Sequence, residues 1–181
     1  LNDYPQDSMH LSFTSNHDEN SWSGSEFTRF GAALEVMTAL TFLWEASLPL
    51  IYTGQEVGYD HSFEFFDRDT LPSLIANEHT QLYRSLINLK HTQRALDSGE
   101  RGGRIIEIEN NAKDCIMTFV REIGDSRIVA ILNLSPYTIH ADFNTGIYAG
   151  SYYNAITGDE TTLPTHVEQD LAPWEYTILH K

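Results

Sequence analysis

The hexapeptide Phe13-Thr14-Ser15-Asn16-His17-Asp18 sets an amide, an imidazole and a carboxylate side by side behind an apolar lead-in. A carboxylate and an imidazole brought to one ligand can hold its hydroxyl groups by charge-assisted hydrogen bonds. The same pair can act as acid and base, or bind a metal. On the dipeptide alone the plainer account is favoured, in which Asp18 caps the next turn and His17 is an ordinary surface residue. Adjacent side chains on a strand diverge, so His17 and Asp18 meet one ligand only if the backbone turns where they stand.

The elements that would position them follow from the hydrophobic pattern. Residues 9–15 read as a short buried strand ending in the charged pair. Ser23 followed by Glu26 predicts a capping box. Phe27, Phe30, Leu34, Met37, Thr41 and Trp44 recur at helical spacing and predict one long amphipathic helix. Residues 48–54 (Leu-Pro-Leu-Ile-Tyr-Thr-Gly) form a near-continuous apolar run with a turn at its end, the pattern of a parallel strand buried on both faces. A loop rich in Phe and Asp is expected over 58–72. A second helix is expected over 77–96, with Leu82, Leu86 and Leu89 on one face and Gly99 as its stop.

Beyond Gly99 the helical period vanishes. Strands are predicted at 104–108, 115–121, 127–134, 138–143, 151–154 and 176–180, with turns at Gly124-Asp125, Asn144-Thr145-Gly146 and Thr157-Gly158-Asp159. Short strands at this spacing indicate an antiparallel sandwich. The expected boundary lies near 97–103. Two strand–helix units cannot cover both faces of a parallel sheet, so the first half reads as a piece of a larger α/β assembly.

Composition excludes some partners. The net charge of −15 repels nucleic acid and anionic membrane surfaces, whereas a neutral sugar is not repelled. The hydrophobic share of 41% supports a packed core and argues against disorder. The single cysteine, Cys115, forms no intrachain disulfide and reads as a small core residue. The eight histidines show no metal spacing, so no metal is expected in this portion. The opening residues, Leu1-Asn2-Asp3-Tyr4, contain neither an initiator methionine nor a signal peptide. The chain is therefore expected to begin inside a longer protein, which leaves compartment open.

Three segments in this order resemble the α-amylase family of glycoside hydrolases. Phe13 to Asp18 is similar to the last of that family's short motifs. Residues 48–58 (Leu-Pro-Leu-Ile-Tyr-Thr-Gly-Gln-Glu-Val-Gly) resemble its eighth strand. Residues 82–90 (Leu-Tyr-Arg-Ser-Leu-Ile-Asn-Leu-Lys), followed by Arg94-Ala95-Leu96, resemble its final barrel helix. The likeness is strong over 11–96 and architectural over 97–181. It implies a fold class: the last strand–helix units of a (β/α)8 TIM barrel over residues 1–98, then an all-β antiparallel sandwich over 99–181. The whole barrel would need about 250 residues or more.

The resemblance also implies a chemistry. Such enzymes cleave or transfer α-glucosidic bonds with retention, using a carboxylate nucleophile and a carboxylic acid about 5–5.5 Å apart. A third carboxylate holds hydroxyls of the sugar being cleaved and stabilises the transition state. Asp18 occupies its motif position, with His17 and Asn16 as substrate contacts and Glu56 bordering the site. Glu56 serves equally well as a stabiliser of the loop after Gly54. The other two catalytic carboxylates belong to motifs on the fourth and fifth strands, which nothing here matches. The chain is thus expected to be inactive alone, its parent being a hydrolase or transglycosylase acting on starch or maltooligosaccharides. No cofactor is implied for this chain. Calcium sites common in the family lie mostly in segments absent here, so calcium remains open for the parent.

Other residues carry weaker expectations. Trp22 and Tyr52 suit the apolar face of a pyranose, although core or lid packing is the default for both. Asp67, Arg68 and Asp69 read better as a salt-bridged loop than as a subsite. Trp174 reads as sandwich edge or core. His61 and His79 stand isolated. The expected partners are an α-glucan and the rest of the barrel, with self-association as another way to cover the apolar strand faces. The alternative function is a non-catalytic carbohydrate-binding or structural sandwich module. The Asn16-His17-Asp18 tip favours the enzyme reading, because such a module has no use for a barrel-strand motif.

Overall fold

The computed structural model describes Pro5 and residues 8–181. The opening tetrapeptide lies outside the described residues. Strand β1 (His10–Ser12) pairs in parallel with β2 (Ser47–Pro49), in the register His10↔Ser47 to Ser12↔Pro49. The crossover between them contains helices α1 (His17–Ser23), α2 (Glu26–Phe30) and α3 (Leu34–Leu43). After β2 come a short 3-10 turn (Gln55–Val57), an irregular loop and helix α4 (Glu78–Thr92). This is the strand–helix–strand–helix order the sequence predicted.

Four local expectations are corrected. Strand β1 stops at Ser12, and Asn16 caps a helix starting at His17, so the charged pair sits in the first turn of α1 and not at a strand tip. The single helix expected from Phe27 to Trp44 is split at Gly31, whose φ of 52° the α-helix cannot accommodate. Ser25, not Ser23, caps α2, its Oγ accepting from the Thr28 amide at 3.3 Å. The expected Ser23–Glu26 box does not form, because the Glu26 carboxylate is held by Thr14 and Gln55 instead. Helix α4 runs to Thr92 and a 3-10 turn (Arg94–Leu96) follows, so Gly99 stands beyond the helix it was expected to stop.

The remaining residues form two antiparallel sheets. Strands β3 (Ile105–Glu107), β4 (Ile116–Ile123), β5 (Ser126–Asn133), β7 (Gly150–Asn154), β8 (Glu160–Leu163) and β10 (Tyr176–His180) make one sheet in the order β3-β4-β5-β10-β7-β8. Strands β6 (Ile139–Asn144) and β9 (His166–Leu171) make the other. The predicted sandwich is present. Sequence patterning missed β8 and β9 because most of their side chains are polar and exposed, with only Leu163, Val167 and Leu171 turned into the core.

The larger sheet is buried on both faces. Along β5, Val129 and Ile131 point towards β6 and β9, packing with Ala141, Phe143, Val167 and Leu171. The alternate residues Ile128, Ala130 and Leu132 join Phe119 and Ile178 against Leu43, Leu86, Ala95 and Leu96 from the helical half. The period of two along a strand produces this split. Trp174 packs partly buried against this second cluster, as expected of sandwich edge or core, and Cys115 lies partly buried beside the first.

A buried arginine joins the two halves. Arg121 on β4 donates to four backbone carbonyls: Nε to Gly103 at 2.8 Å, one terminal nitrogen to Leu43 and Trp44 at 3.0 Å each, and the other to Asp97 at 3.1 Å. Leu43 and Trp44 end α3, where free carbonyls carry the negative end of the helix dipole. Gly102 permits this approach, since a Cβ there would lie 1.9 Å from the Asp97 carbonyl oxygen and 2.8 Å from the guanidinium.

By contrast, one face of the β1–β2 pair is open. Leu11, paired with Leu48, and Phe13 beyond it leave large apolar side chains exposed. Among the described residues no helix is long and apolar enough to cross a membrane, and no group of three His, Cys, Asp or Glu side chains is placed to hold a metal ion.

Candidate functional site

The chain leaving β1 is pinned before it reaches the charged pair. Thr14 and Ser15 are buried. Thr14 Oγ1 donates to Glu26 Oε2 at 2.9 Å and accepts from Gln55 Nε2 at 2.8 Å. Gln55 Nε2 also donates to Glu26 Oε2, while its Oε1 accepts from the Tyr52 amide at 2.5 Å. Arg29 donates to the Thr14 carbonyl at 3.2 Å and pairs with Glu19 at 3.1 Å. The end of β1, the start of α2 and the turn after β2 are thereby tied together beneath the site.

Glu26 is the hub of this network. Burial raises its pKa, and the hydrogen bonds from Gln55 and Thr14, with the nearby His79 and Arg29, act against that rise. Sequence reading gave Glu26 only a capping role. The available signal was Gln55, a polar side chain in the turn after the apolar run. Ser15 Oγ is buried with no hydrogen-bond partner among the described residues.

Above the network the backbone enters α1. Asn16 Oδ1 accepts from the Glu19 amide at 2.8 Å, so this oxygen is committed to capping. His17 Nε2 stands 3.5 Å from Asp18 Oδ2, and the two side chains are 69% and 61% exposed. The first helical turn thus brings imidazole and carboxylate together on an accessible surface at the carboxyl end of β1. Glu56 stands in the 3-10 turn after β2, which is bound to α4 through the Glu56 backbone carbonyl, accepting from Thr80 Oγ1 at 2.7 Å. Its charge, with that of Glu26, adds to burial in raising the Tyr83 phenol far above its usual range.

A loop reaches over from the second strand. Buried Asn20 of α1 donates to the His61 carbonyl at 2.8 Å and accepts from the Phe63 amide at 2.7 Å. Asp69 accepts from the His61 ring at 2.8 Å, from the Glu64 amide at 3.0 Å and from the Thr70 amide at 2.6 Å. These bonds, the His61 hydrogen bond first, pull the Asp69 carboxyl down to about 2. The loop is tied together through Asp69 as expected, but its partner is the His61 ring and not Arg68.

Anchored in this way, the loop sets Phe65 against the site. The His17 and Phe65 rings stack at 6.1 Å and 23°. Trp22 lies 5.3 Å from Phe65, and Phe66 4.8 Å. Trp22 is 66% exposed and so lies outside the core, its ring packed on Phe65 and Phe66 of the loop. Tyr52 instead meets Phe63 edge-on at 6.0 Å, and His79 meets Phe27 edge-on at 5.5 Å. Asn20 and the Phe65–Phe66 pair escaped the sequence reading. Their roles depend on contacts 40 or more residues apart, for which only the repeated Phe in a loop gave a hint.

The arrangement can accept hydrogen bonds through a carboxylate, exchange them through an imidazole and offer aromatic faces beside both. Residues 107–175 match the family described as Alpha amylase, C-terminal all-beta domain. No curated protein matches the chain in sequence. Among solved structures, a noncanonic maltogenic alpha-amylase, AmyB, from Thermotoga neapolitana is similar with a TM-score of 0.80 and 19% identity, covering 98% of this chain and 42% of that one. An alpha-amylase from Lactobacillus plantarum gives 0.68 and 20%, covering 98% and 39%. An alpha-amylase from Geobacillus thermoleovorans, complexed with acarbose, gives 0.69 and 14%, covering 95% and 38%. The chain therefore spans about two fifths of the length of these structures. It carries the C-terminal all-β domain of α-amylases at residues 107–175 and, over nearly its whole length, the fold of an α-amylase's C-terminal part.

Proposed function

We propose that this chain is the substrate-positioning end of a retaining α-glucan-active glycoside hydrolase. The observation that carries the reading is the exposed His17–Asp18 pair, 3.5 Å apart, at the carboxyl end of a parallel strand whose neighbour ends beside it. In an α/β barrel that end of the strands holds the active site. Asp18 accepts hydroxyls of the sugar at the cleavage point and stabilises its oxocarbenium-like transition state, and His17 donates to the same ring. Asn16 fixes the helix turn that aims them. Glu56, in the turn after β2, borders the site.

The relative from Geobacillus thermoleovorans was solved with acarbose, which supports a glucan-like ligand. The open Leu11–Phe13–Leu48 face is where residues 1–98 would meet the rest of a barrel, with 99–181 as the sandwich behind it. A second copy of the chain is the other cover for that face. Nucleophile and general acid lie outside the matched motifs, so the chain alone turns nothing over.

The test is a titration of the chain with maltotriose, following the His17 imidazole by NMR alongside a reducing-sugar assay. The imidazole resonance should move, Asp18→Asn should weaken binding, and no sugar should be released. A His17 signal unmoved by maltotriose in the folded chain would overturn the reading.

A further inference from the structure

We infer that Trp22, Phe65 and Phe66 form a stacking platform for the pyranose rings of a glucan chain running outward from His17 and Asp18. This rests on the reading of that pair given above.

Phe66 is 83% exposed and Trp22 66%, so neither contributes to a core. Large apolar side chains left in water forgo the stabilisation that burial gives. The rings are nevertheless held on fixed backbone: Asn20 bonds both His61 and Phe63, and Asp69 bonds His61, Glu64 and Thr70. Exposed rings on an anchored loop are ready for a ligand without ordering cost. They are also continuous with the site, because His17 stacks on Phe65, and Phe65 adjoins both Trp22 and Phe66. The run exceeds the width of one ring, so it serves a chain of sugars and not a single unit.

The occupant follows from chemistry. An aromatic face suits the C–H face of a pyranose. Glu64 and Asp67, exposed beside Phe65 and Phe66, can accept its outward hydroxyls. The acidic balance of the chain disfavours anionic ligands and leaves neutral glycans welcome.

Affinities for maltotriose and maltoheptaose, measured by calorimetry on the 181-residue chain, test this. Maltoheptaose should bind more tightly than maltotriose. Phe66→Ala and Trp22→Ala should each lower maltoheptaose affinity about tenfold, while maltotriose affinity stays within about twofold. Equal affinities for the two sugars, or maltoheptaose binding indifferent to both substitutions, would overturn the platform while leaving the His17–Asp18 reading intact. Maltoheptaose binding lost in Phe66→Ala but unchanged in Asp18→Asn would uphold the platform and remove the other reading. Absence of binding by either sugar would end both. A wild-type dimer that Phe66→Ala converts to monomer would assign the rings to a second copy of the chain instead.

Discussion

Arg121, on the face of β4 turned to the helices, donates to the carbonyl of Leu43 at 3.0 Å and so caps a helix that precedes it by 78 residues. The neighbouring Trp44 carbonyl accepts from the same nitrogen, also at 3.0 Å. Burial pulls the guanidinium down to about 10, which leaves it charged at neutral pH. Replacing it by Met keeps the apolar stem but takes a donor from four carbonyls, of which, among the described residues, Trp44's alone keeps another, the Ser47 amide at 3.3 Å. Arg121→Met should cost about 3 kcal/mol or more in urea unfolding. Arg121→Lys should recover little, since an ammonium lacks the planar fork that reaches separated acceptors.

Asn133 is a second buried hub. Its Nδ2 donates to the carbonyls of Tyr137, Leu171 and Ala172, while its Oδ1 accepts from Ser135. Asn133→Asp is nearly isosteric, yet it turns a carboxylate oxygen towards those three carbonyls. A loss of about 3 kcal/mol is expected at neutral pH, shrinking as the medium is acidified and the new carboxyl protonates. Urea midpoints measured at pH 7 and pH 4 check this.

Asp18→Asn should leave stability within about 0.5 kcal/mol of wild type, because its side chain is 61% exposed and supports no core. Thermal unfolding measures it. A large destabilisation would make Asp18 a structural residue and weaken the ligand role.

Asn20→Ala should free the loop. It removes both bonds to His61 and Phe63, so local opening becomes easier by about 1–2 kcal/mol. Amide exchange at Phe63 should accelerate while exchange in β5 is unchanged. The advantage of maltoheptaose over maltotriose should fall with it, through loss of order and not of contact.

On the outer face of β6 and β9, His140 Nδ1 bonds Asp170 at 2.9 Å, and this bond is the main cause of its raised pKa, with Glu168 and Asp142 adding to it. A histidine whose folded pKa exceeds its unfolded value of about 6.5 stabilises fully below that pH. The contribution fades as pH rises through the folded value. An NMR titration of His140 should show the upward shift, and Asp170→Asn should abolish most of it.

What the sequence revealed, and what it hid, divides along physical lines. Helix α4 and six strands of the sandwich were legible because alternation or helical period survives wherever one face is buried. The parallel strand pair was legible from apolar runs, but its second strand is only Ser47–Pro49 and is not buried on both faces. Strands β8 and β9 were not, since Glu160–Leu163 and His166–Leu171 bury only three side chains between them. The break at Gly31 was overlooked because the apolar spacing continues across it. At the site, His17 and Asp18 were found as an adjacent pair of unlike chemistry. The Glu26–Gln55–Thr14 network and the Asn20 clasp were not, because each joins residues from different segments and leaves no local pattern.

The two-faced sheet bears on how this protein can be cut. Phe119, Ile128, Ala130, Leu132 and Ile178 lean on helices encoded before residue 98, and Arg121 finds three of its four acceptors there. A gene trimmed to residues 99–181 would deliver a sheet with one oily side bare and a guanidinium left with only the Gly103 carbonyl of its four acceptors, prone to precipitate. The sandwich travels safely only with its helices, as a single cassette.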